Sequence, residues 1–386
     1  MTKMMNTIIF VLCLVIRSVN SAVHGIQITP EEDLELERQL KIINKPPIKV
    51  IHTEYGYIVD CIDINKQPAF DHPLLKNHTL QRKPSFHVPT EETHDSPIFG
   101  LDKDECPTGT VPIRRTTKED LIREKLLSHN TIMTQGIPGI HRAEVFLSSF
   151  NGPYYGVYGV NSIYNPRAAW NQESLSHIWV QKGDGSTTNK ISAGWHVGPR
   201  FYGDDGTHLY ASWTSDNYDK TGCFNVRCPG FVQVHLKGYL GSRLKQISGY
   251  DGPIYKFNSS ITQDPKTNNW WLTIGKFALG YFPAALFSDM REAEQVGWGG
   301  RAYSASGPLS PQMGSGYFPD KTFRRASFFR MISYQDKSRT SFGPAYYQVK
   351  SVLDAPSCFG LVYYGNLGGK NGFCLQFGGP GGNCNN

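Results

Sequence analysis

Hydrophobic and polar positions follow two different textures along this chain, and the change falls near residue 140. In the first part, Thr29-Pro30-Glu31-Glu32 is a capping box with proline at the first helical position, which predicts a short helix to about Leu40. Ile48–Ile64 reads as strand, and Asp63–Arg82 is polar and punctuated by prolines. Cys106–Arg115 (CPTGTVPIRR) leads into a second capped helix, with Thr116 three residues before Glu119, running to about Leu127. Residues 128–139 contain Gly136, Pro138 and Gly139 and little hydrophobic pattern, which marks a linker.

From His141 onward the period shortens to two. Aromatic and β-branched segments recur between Gly, Pro and Asn turns: Tyr154–Tyr164, Ser176–Gln181, Leu209–Thr214, Phe231–Tyr239, Trp270–Tyr281 and Tyr346–Val352. Val232-Gln233-Val234-His235-Leu236 shows the alternation most plainly. Many short strands at this spacing predict an all-β body, an antiparallel double-sheet β-sandwich of jelly-roll type, behind a small α+β N-terminal part. No repeat of fixed period is visible.

Composition supports that reading. Glycine (39) and proline (24) are plentiful, and tyrosine and phenylalanine abundant, so turns and strands outweigh helices. The net charge of +6 is modest and scattered. No basic block is interleaved with aromatics, so nucleic acid is not an expected partner. Lys3, the apolar run Ile8–Ile16 and the small residues Val19-Asn20-Ser21 read as a secretory signal over residues 1–21. The run is too short to span a bilayer, and no later stretch is long enough, so a secreted, extracellular protein with no membrane attachment after signal removal is expected.

Of the eight cysteines, Cys13 leaves with the signal. In an oxidising compartment the other seven should mostly pair. Cys223 and Cys228 suit a tight local loop, Cys61 and Cys106 bracket the N-terminal part, and Cys358 and Cys384 close the C-terminal part. Cys374 is left over. Neither CxxC pairs nor His pairs stand at ligand spacing, so neither a metal nor a cofactor is expected. Sequons at Asn77 and Asn258 agree with secretion.

Several longer motifs carry a family resemblance. Asp63–Arg82 and CPTGTVPIRR are similar to the activation peptide of the neprosin family, plant secreted glutamic peptidases that cut after proline. Tyr154–Pro166, Cys223–Gln233, Asp264–Leu272, Gly280–Leu286, Gln312–Pro319 and Phe377–Cys384 resemble its peptidase domain. The resemblance covers nearly the whole mature chain in order. It implies an activation-peptide-like prodomain over 22–130, a linker at 131–140 and a peptidase-type sandwich over 141–386.

The same resemblance locates the chemistry and its loss. Ile191–Val197 (ISAGWHV) and Val296–Tyr303 (VGWGGRAY) match the two catalytic segments, but Ser192 and Arg301 stand where the family has glutamates. Two close carboxyls activate water because one stays ionised while the other keeps a proton. Serine is no base at ordinary pH, and arginine keeps its proton. Losing one acid–base partner costs ~10²–10⁴-fold; here both are replaced. The resemblance further implies that Ser192 and Arg301 face each other across one cleft, on facing or neighbouring strands, with Gly194, Trp195, Trp298, Gly299 and Gly300 lining it. The remaining tryptophans, Trp179, Trp213, Trp270 and Trp271, are expected in the core.

Other acids near these segments, Glu292, Glu294, Asp184 and Asp204, read as solvated loop charges. A triad of Ser192 and His196 fails on spacing, since residues four apart on a strand lie ~13 Å apart. Two functions compete: a secreted pseudoenzyme that keeps a cleft for proline-rich peptides or cell-wall components, and an active proline-specific endopeptidase with displaced carboxylates.

Overall fold

Alternating inward and outward side chains build two antiparallel sheets around a shared apolar core. The computed structural model describes residues 28–88, 99–101, 104–126, 132–133, 137–305 and 309–384. The expected signal segment and much of the expected linker lie outside these residues.

The N-terminal part contains helix α1 (Pro30–Ile43), strands β1 (Lys49–His52), β2 (Ile58–Asp63) and β3 (Thr110–Arg114), and helix α2 (Lys118–Leu126). The larger part opens with β4 (Ile140–Leu147), β5 (Gly156–Ser162), β6 (Gln172–Lys182) and β7 (Asn189–Val197). A single turn of helix, α3 (Pro199–Tyr202), precedes β8 (His208–Thr214) and β9 (Cys223–Phe224). Next come β10 (Val232–Gln233), β11 (Lys256–Gln263), β12 (Trp270–Ile274), β13 (Phe277–Phe282) and β14 (Gln295–Ser304). The chain closes through β15 (Leu309–Ser310), β16 (Ser327–Gln335), β17 (Ser341–Phe342), β18 (Val349–Leu353), β19 (Gly360–Asn366), β20 (Phe373–Gly378) and β21 (Gly382–Asn383).

One large sheet has the order β18-β4-β14-β6-β7-β8-β9. The other runs β10-β13-β12-β11-β5-β16-β20-β19, with β17 paired to β16. Trp195 and Trp298 lock the two together, donating from their indole nitrogens to the carbonyls of Ser162 and Tyr158, each at 2.8 Å. The expected sandwich is present, and so are all three disulfides, Cys61–Cys106, Cys223–Cys228 and Cys358–Cys384. Cys374 is free and buried.

Local differences from the sequence reading have local causes. The first helix keeps its Thr29 capping box. In the second, Thr117 caps instead of Thr116: Asp120 N–H donates to the Thr117 hydroxyl and Thr117 N–H to the Asp120 carboxylate. Ile48–Ile64 is a hairpin of β1 and β2. Trp270–Tyr281 is split by a turn at Gly275, whose φ of +60° favours glycine. Only two residues of Phe231–Tyr239 remain strand, because the carbonyls of Leu236 and Lys237 instead accept from Cys106 and Leu101 of the N-terminal part. Tyr346–Val352 begins as a 3-10 turn before entering β18.

The N-terminal part is held on the sandwich by polar groups. The Gln67 side-chain amide donates to the Gln233 carbonyl and accepts from the Gln233 backbone N–H, and the Gln233 side-chain amide donates to the Pro112 carbonyl. Asp264 accepts from the Gln81 amide and from Ser85 N–H and hydroxyl. Trp271, on the outer side of β12, is covered by this part, packing with Ala69, Phe70, Leu80 and Phe86, while neighbouring Trp270 faces the main core.

Asp120 is buried against Arg123, with Arg114 at 3.6 Å and Arg227 of the sandwich at 3.9 Å. Burial raises its pKa, but the arginines and the Thr117 N–H outweigh burial and hold it below its ordinary value. Asp120→Asn leaves these cations facing an uncharged amide and should cost about 3 kcal/mol, read as a lower urea midpoint. A carboxyl held low stabilises above its unfolded pKa of 3.8 and loses that contribution as pH falls through the folded value. The gap between wild type and variant should therefore close on acidification below about pH 3.8.

Candidate functional site

Strand alternation decides which side chains can meet. On β14, Gly297, Gly299, Arg301 and Tyr303 point away from the core. Their cross-strand neighbours on β6, namely Trp179, His177, Leu175 and Glu173, share that outer face. Continuing across the sheet, Ser192, Gly194 and His196 of β7 and Ser212, Tyr210 and His208 of β8 do the same. From the other side β4 brings Arg142 and Glu144 opposite Arg301 and Gly299.

Ser192 and Arg301 thus share a face, but they do not pair. β6 stands between them, so they are not on neighbouring strands, and their registers differ by four residues: Ser192 is opposite Trp179, and Arg301 opposite Leu175. Two steps between strands and four along them put their α-carbons roughly 16 Å apart. Ser192 is 1% exposed, and its hydroxyl has no hydrogen-bond partner.

Trp195 and Trp298 do not line this face, contrary to expectation. Each is an odd number of positions from the residue it was thought to flank, so each points into the core. Gly300 likewise faces inward, where a Cβ would lie 2.5 Å from the Phe377 ring. Gly194 and Gly299 belong to the outer side; Gly299 has a φ of +150°, and a Cβ there would meet the Ala143 carbonyl at 2.2 Å. Of the tryptophans expected in the core, Trp179 instead lies on the outer face.

The centre of the face is Glu144. Its Oε1 accepts from Arg301 Nε at 2.5 Å and faces His177 Nε2 at 2.9 Å; its Oε2 accepts from Arg142 Nε at 3.2 Å and Nη2 at 2.8 Å. Burial alone would raise the Glu144 pKa, but Arg142, Arg301 and His177 drive it well below the usual carboxylate range. An ionised carboxylate only accepts, so His177 Nε2 donates, its Nδ1 accepts, and the Tyr210 hydroxyl at 2.9 Å is the donor. Burial pushes His177 down to about 4 and Tyr210 well up, so both rest neutral.

Arg301 has a second set of partners. Its Nη1 donates to the carbonyls of Ile132 at 3.3 Å and Met133 at 3.2 Å. These two residues, buried against Leu175, Tyr210 and Tyr303, roof the face. Lys190, two residues before Ser192, is 2% exposed, with its ammonium nitrogen 4.4 Å from the Trp179 ring centroid. Burial first, then Arg301 and Arg142, lower its pKa well below the ordinary lysine value.

The remaining acids are engaged elsewhere. Glu292 pairs with Lys182 at 2.5 Å, and Glu294 accepts from Gly183 N–H. Asp204 faces His208 at 3.0 Å and is bonded by Tyr57, and Asp184 sits exposed at a short turn. His196 pairs with Glu173 at 3.1 Å, not with Ser192. Among the described residues no group of three or more His, Cys, Asp and Glu forms a metal site. The sequence reading missed Glu144, His177, Tyr210 and Lys190. Lys190 was accessible from the two-residue period alone.

Residues 170–380 match the Neprosin family profile, and residues 50–144 match the profile of the Neprosin activation peptide. The chain belongs to the neprosin family. It is also similar to scytalido-glutamic peptidase with a transition state analog inhibitor, at 9% identity and a TM-score of 0.33, over 61% of this chain and 97% of that one. SCP-B, a member of the Eqolisin family of peptidases in complex with the tripeptide Ala-Ile-His, matches at 8% identity and a TM-score of 0.31, over 62% and 96%.

Glu144→Gln would leave the buried guanidinium of Arg301 without its counter-charge and should cost about 3–5 kcal/mol of unfolding free energy. Replacing the pair together, Glu144→Leu with Arg301→Met, should cost less than Glu144→Gln alone, because an apolar pair removes both desolvated charges. Denaturant unfolding of the variants checks this. A double change at least as damaging as Glu144→Gln would refute the coupling.

Proposed function

We propose that this chain is a secreted, non-catalytic member of the neprosin family whose former catalytic face binds proline-containing peptides. The observation that carries the reading is the saturation of Glu144. Its two oxygens meet four donors from Arg301, His177 and Arg142, leaving no lone pair to take a proton from water. Its depressed pKa leaves it no proton to give. Glutamic peptidase chemistry needs one carboxyl in each of those roles, and the two positions that would supply them hold a serine and an arginine.

Peptide binding is supported by what already occupies the face. Backbone carbonyls of Ile132 and Met133, a turn of the chain, both accept from Arg301 Nη1, so the arginine already holds main-chain carbonyls of a peptide segment on this face. Extracellular placement is supported by the three disulfides, and no helix of the described residues is long and apolar enough to cross a membrane. Asn77, in an exposed position, and Asn258, on β11, are the proposed glycan acceptors.

The purified chain, with its linker intact or nicked by an added protease, should fail to cleave proline-containing peptides from about pH 2 to about pH 6, the range in which a carboxyl pair would work. Mass spectrometry of the peptide pool is the readout. Turnover that disappears on Glu144→Gln in a variant that still folds would make Glu144 a displaced catalytic carboxyl and overturn the proposal.

A further inference from the structure

The outer face carries donors that nothing among the described residues accepts. Lys190 Nζ, Ser192 Oγ, Trp179 Nε1 and Arg301 Nη2 are all buried and have no hydrogen-bond partner, and their residues are at most 2% exposed. A buried donor left unpaired costs roughly 1–3 kcal/mol, so four on one face call for an explanation.

Their placement is shared. Trp179 and Ser192 are directly opposite one another on β6 and β7. Lys190 places its nitrogen over the Trp179 ring. The indole reaches across to β14, where it occupies the space a Cβ at Gly297 would need, 2.5 Å from its ring. Arg301, on that same strand and face, turns toward Glu144, which is opposite Gly299 and therefore displaced toward the Trp179 end.

The electrostatic balance has one sign. At the Trp179 end of the face, Arg142 and Arg301 carry two positive charges against the carboxylate of Glu144, and Lys190 is a latent third, while the other carboxyl of the face, Glu173, lies toward the far end of β6 and is paired with His196. On the outer side of β4, β14, β6 and β7, the described side-chain atoms without partners are the indole and guanidinium nitrogens, which can only donate, the Lys190 nitrogen, which only donates once an anion holds it protonated, and one hydroxyl. Such a set suits a group that is anionic and accepts several bonds at once, and charge-assisted bonds are roughly twice as strong as neutral ones. The carbonyls of Ile132 and Met133 are neutral acceptors that meet Arg301 at Nη1, while its Nη2 and the other three donors are without a partner among the described residues.

We infer that the face formed by Lys190, Ser192, Trp179 and Arg301 is a carboxylate-binding subsite, selecting acidic peptides in place of the water that a family enzyme would activate. This rests on the peptide-binding reading above. An acidic side chain and a chain end are the two sources of such a carboxylate, since both present two acceptor oxygens to donors of this face.

The test uses the full-length chain with Ile132→Gly and Met133→Gly to loosen the roof, and wild type as a second arm. Three dye-labelled, proline-containing hexapeptides are compared by fluorescence polarisation: one with a central glutamate and an amidated end, one with glutamine and an amidated end, and one with glutamine and a free carboxylate. At least one acidic peptide should bind ~10-fold more tightly than the neutral one, and Lys190→Met should bring that ratio close to one. The acidic peptide that gains identifies side chain or chain end as the source. Only the ratio is read, so a roof that stays closed in wild type lowers all affinities without removing the comparison. Equal binding of all three peptides would overturn the carboxylate subsite while leaving peptide binding standing. Binding of none, in a roof variant with native circular dichroism, would overturn both.

Discussion

An arginine with no exposed surface must have its charge answered inside the fold, and Arg301 sets that requirement for the whole outer face of the β4–β14–β6–β7 sheet. Desolvating a guanidinium costs several kcal/mol unless a counter-charge and hydrogen bonds replace the lost water. Glu144 supplies the counter-charge from the adjacent strand. That carboxylate then needs its own donors, which Arg142 and His177 provide, and His177 in turn fixes Tyr210. The chain of partners crosses β4, β14, β6 and β8. Each member is held in the protonation state its neighbour demands, which suits a rigid recognition surface and opposes proton shuttling.

The N-terminal part depends on the same face at one point and on separate latches elsewhere. Ile132 and Met133 lie on Arg301, while Asp120, Gln67 and Asp264 are among the further polar contacts. Acidification protonates carboxylates such as Asp120 and Asp264, whose folded pKa values are depressed, so docking should weaken at low pH. Weakening a latch breaks no peptide bond. Release of the roof by acid and removal of the roof by cleavage are therefore separable events in this protein.

Much of the architecture was legible in the sequence because it rests on periodicity and covalent chemistry. The two-residue alternation gave the sandwich, the Thr29 capping box gave the first helix, and cysteine spacing gave the three bridges. The site was less legible. Trp195 and Trp298 were placed in the cleft by adjacency along the chain, although odd spacing from Ser192 and Arg301 turns them to the opposite side of the sheet. Glu144 could not be found from the two catalytic segments, since it reaches Arg301 only through the β4–β14 register, 157 residues away in sequence. Which carboxylate pairs with a buried arginine is a tertiary fact. Likewise, the truncation of the Phe231–Tyr239 strand depends on carbonyls claimed by a segment more than a hundred residues earlier.

The claim that this face no longer hydrolyses peptides is tested most directly on the chain's own segment around Ile132 and Met133, which rest on Arg301 at a local concentration that no added substrate matches. The full-length protein, free of other proteases, is held near pH 3 and followed by intact mass spectrometry over days. The account predicts an unchanged mass, with the N-terminal part loosened but covalently attached. A fragment beginning between residues 128 and 141, forming at a rate independent of protein concentration and abolished by Glu144→Gln, would contradict it.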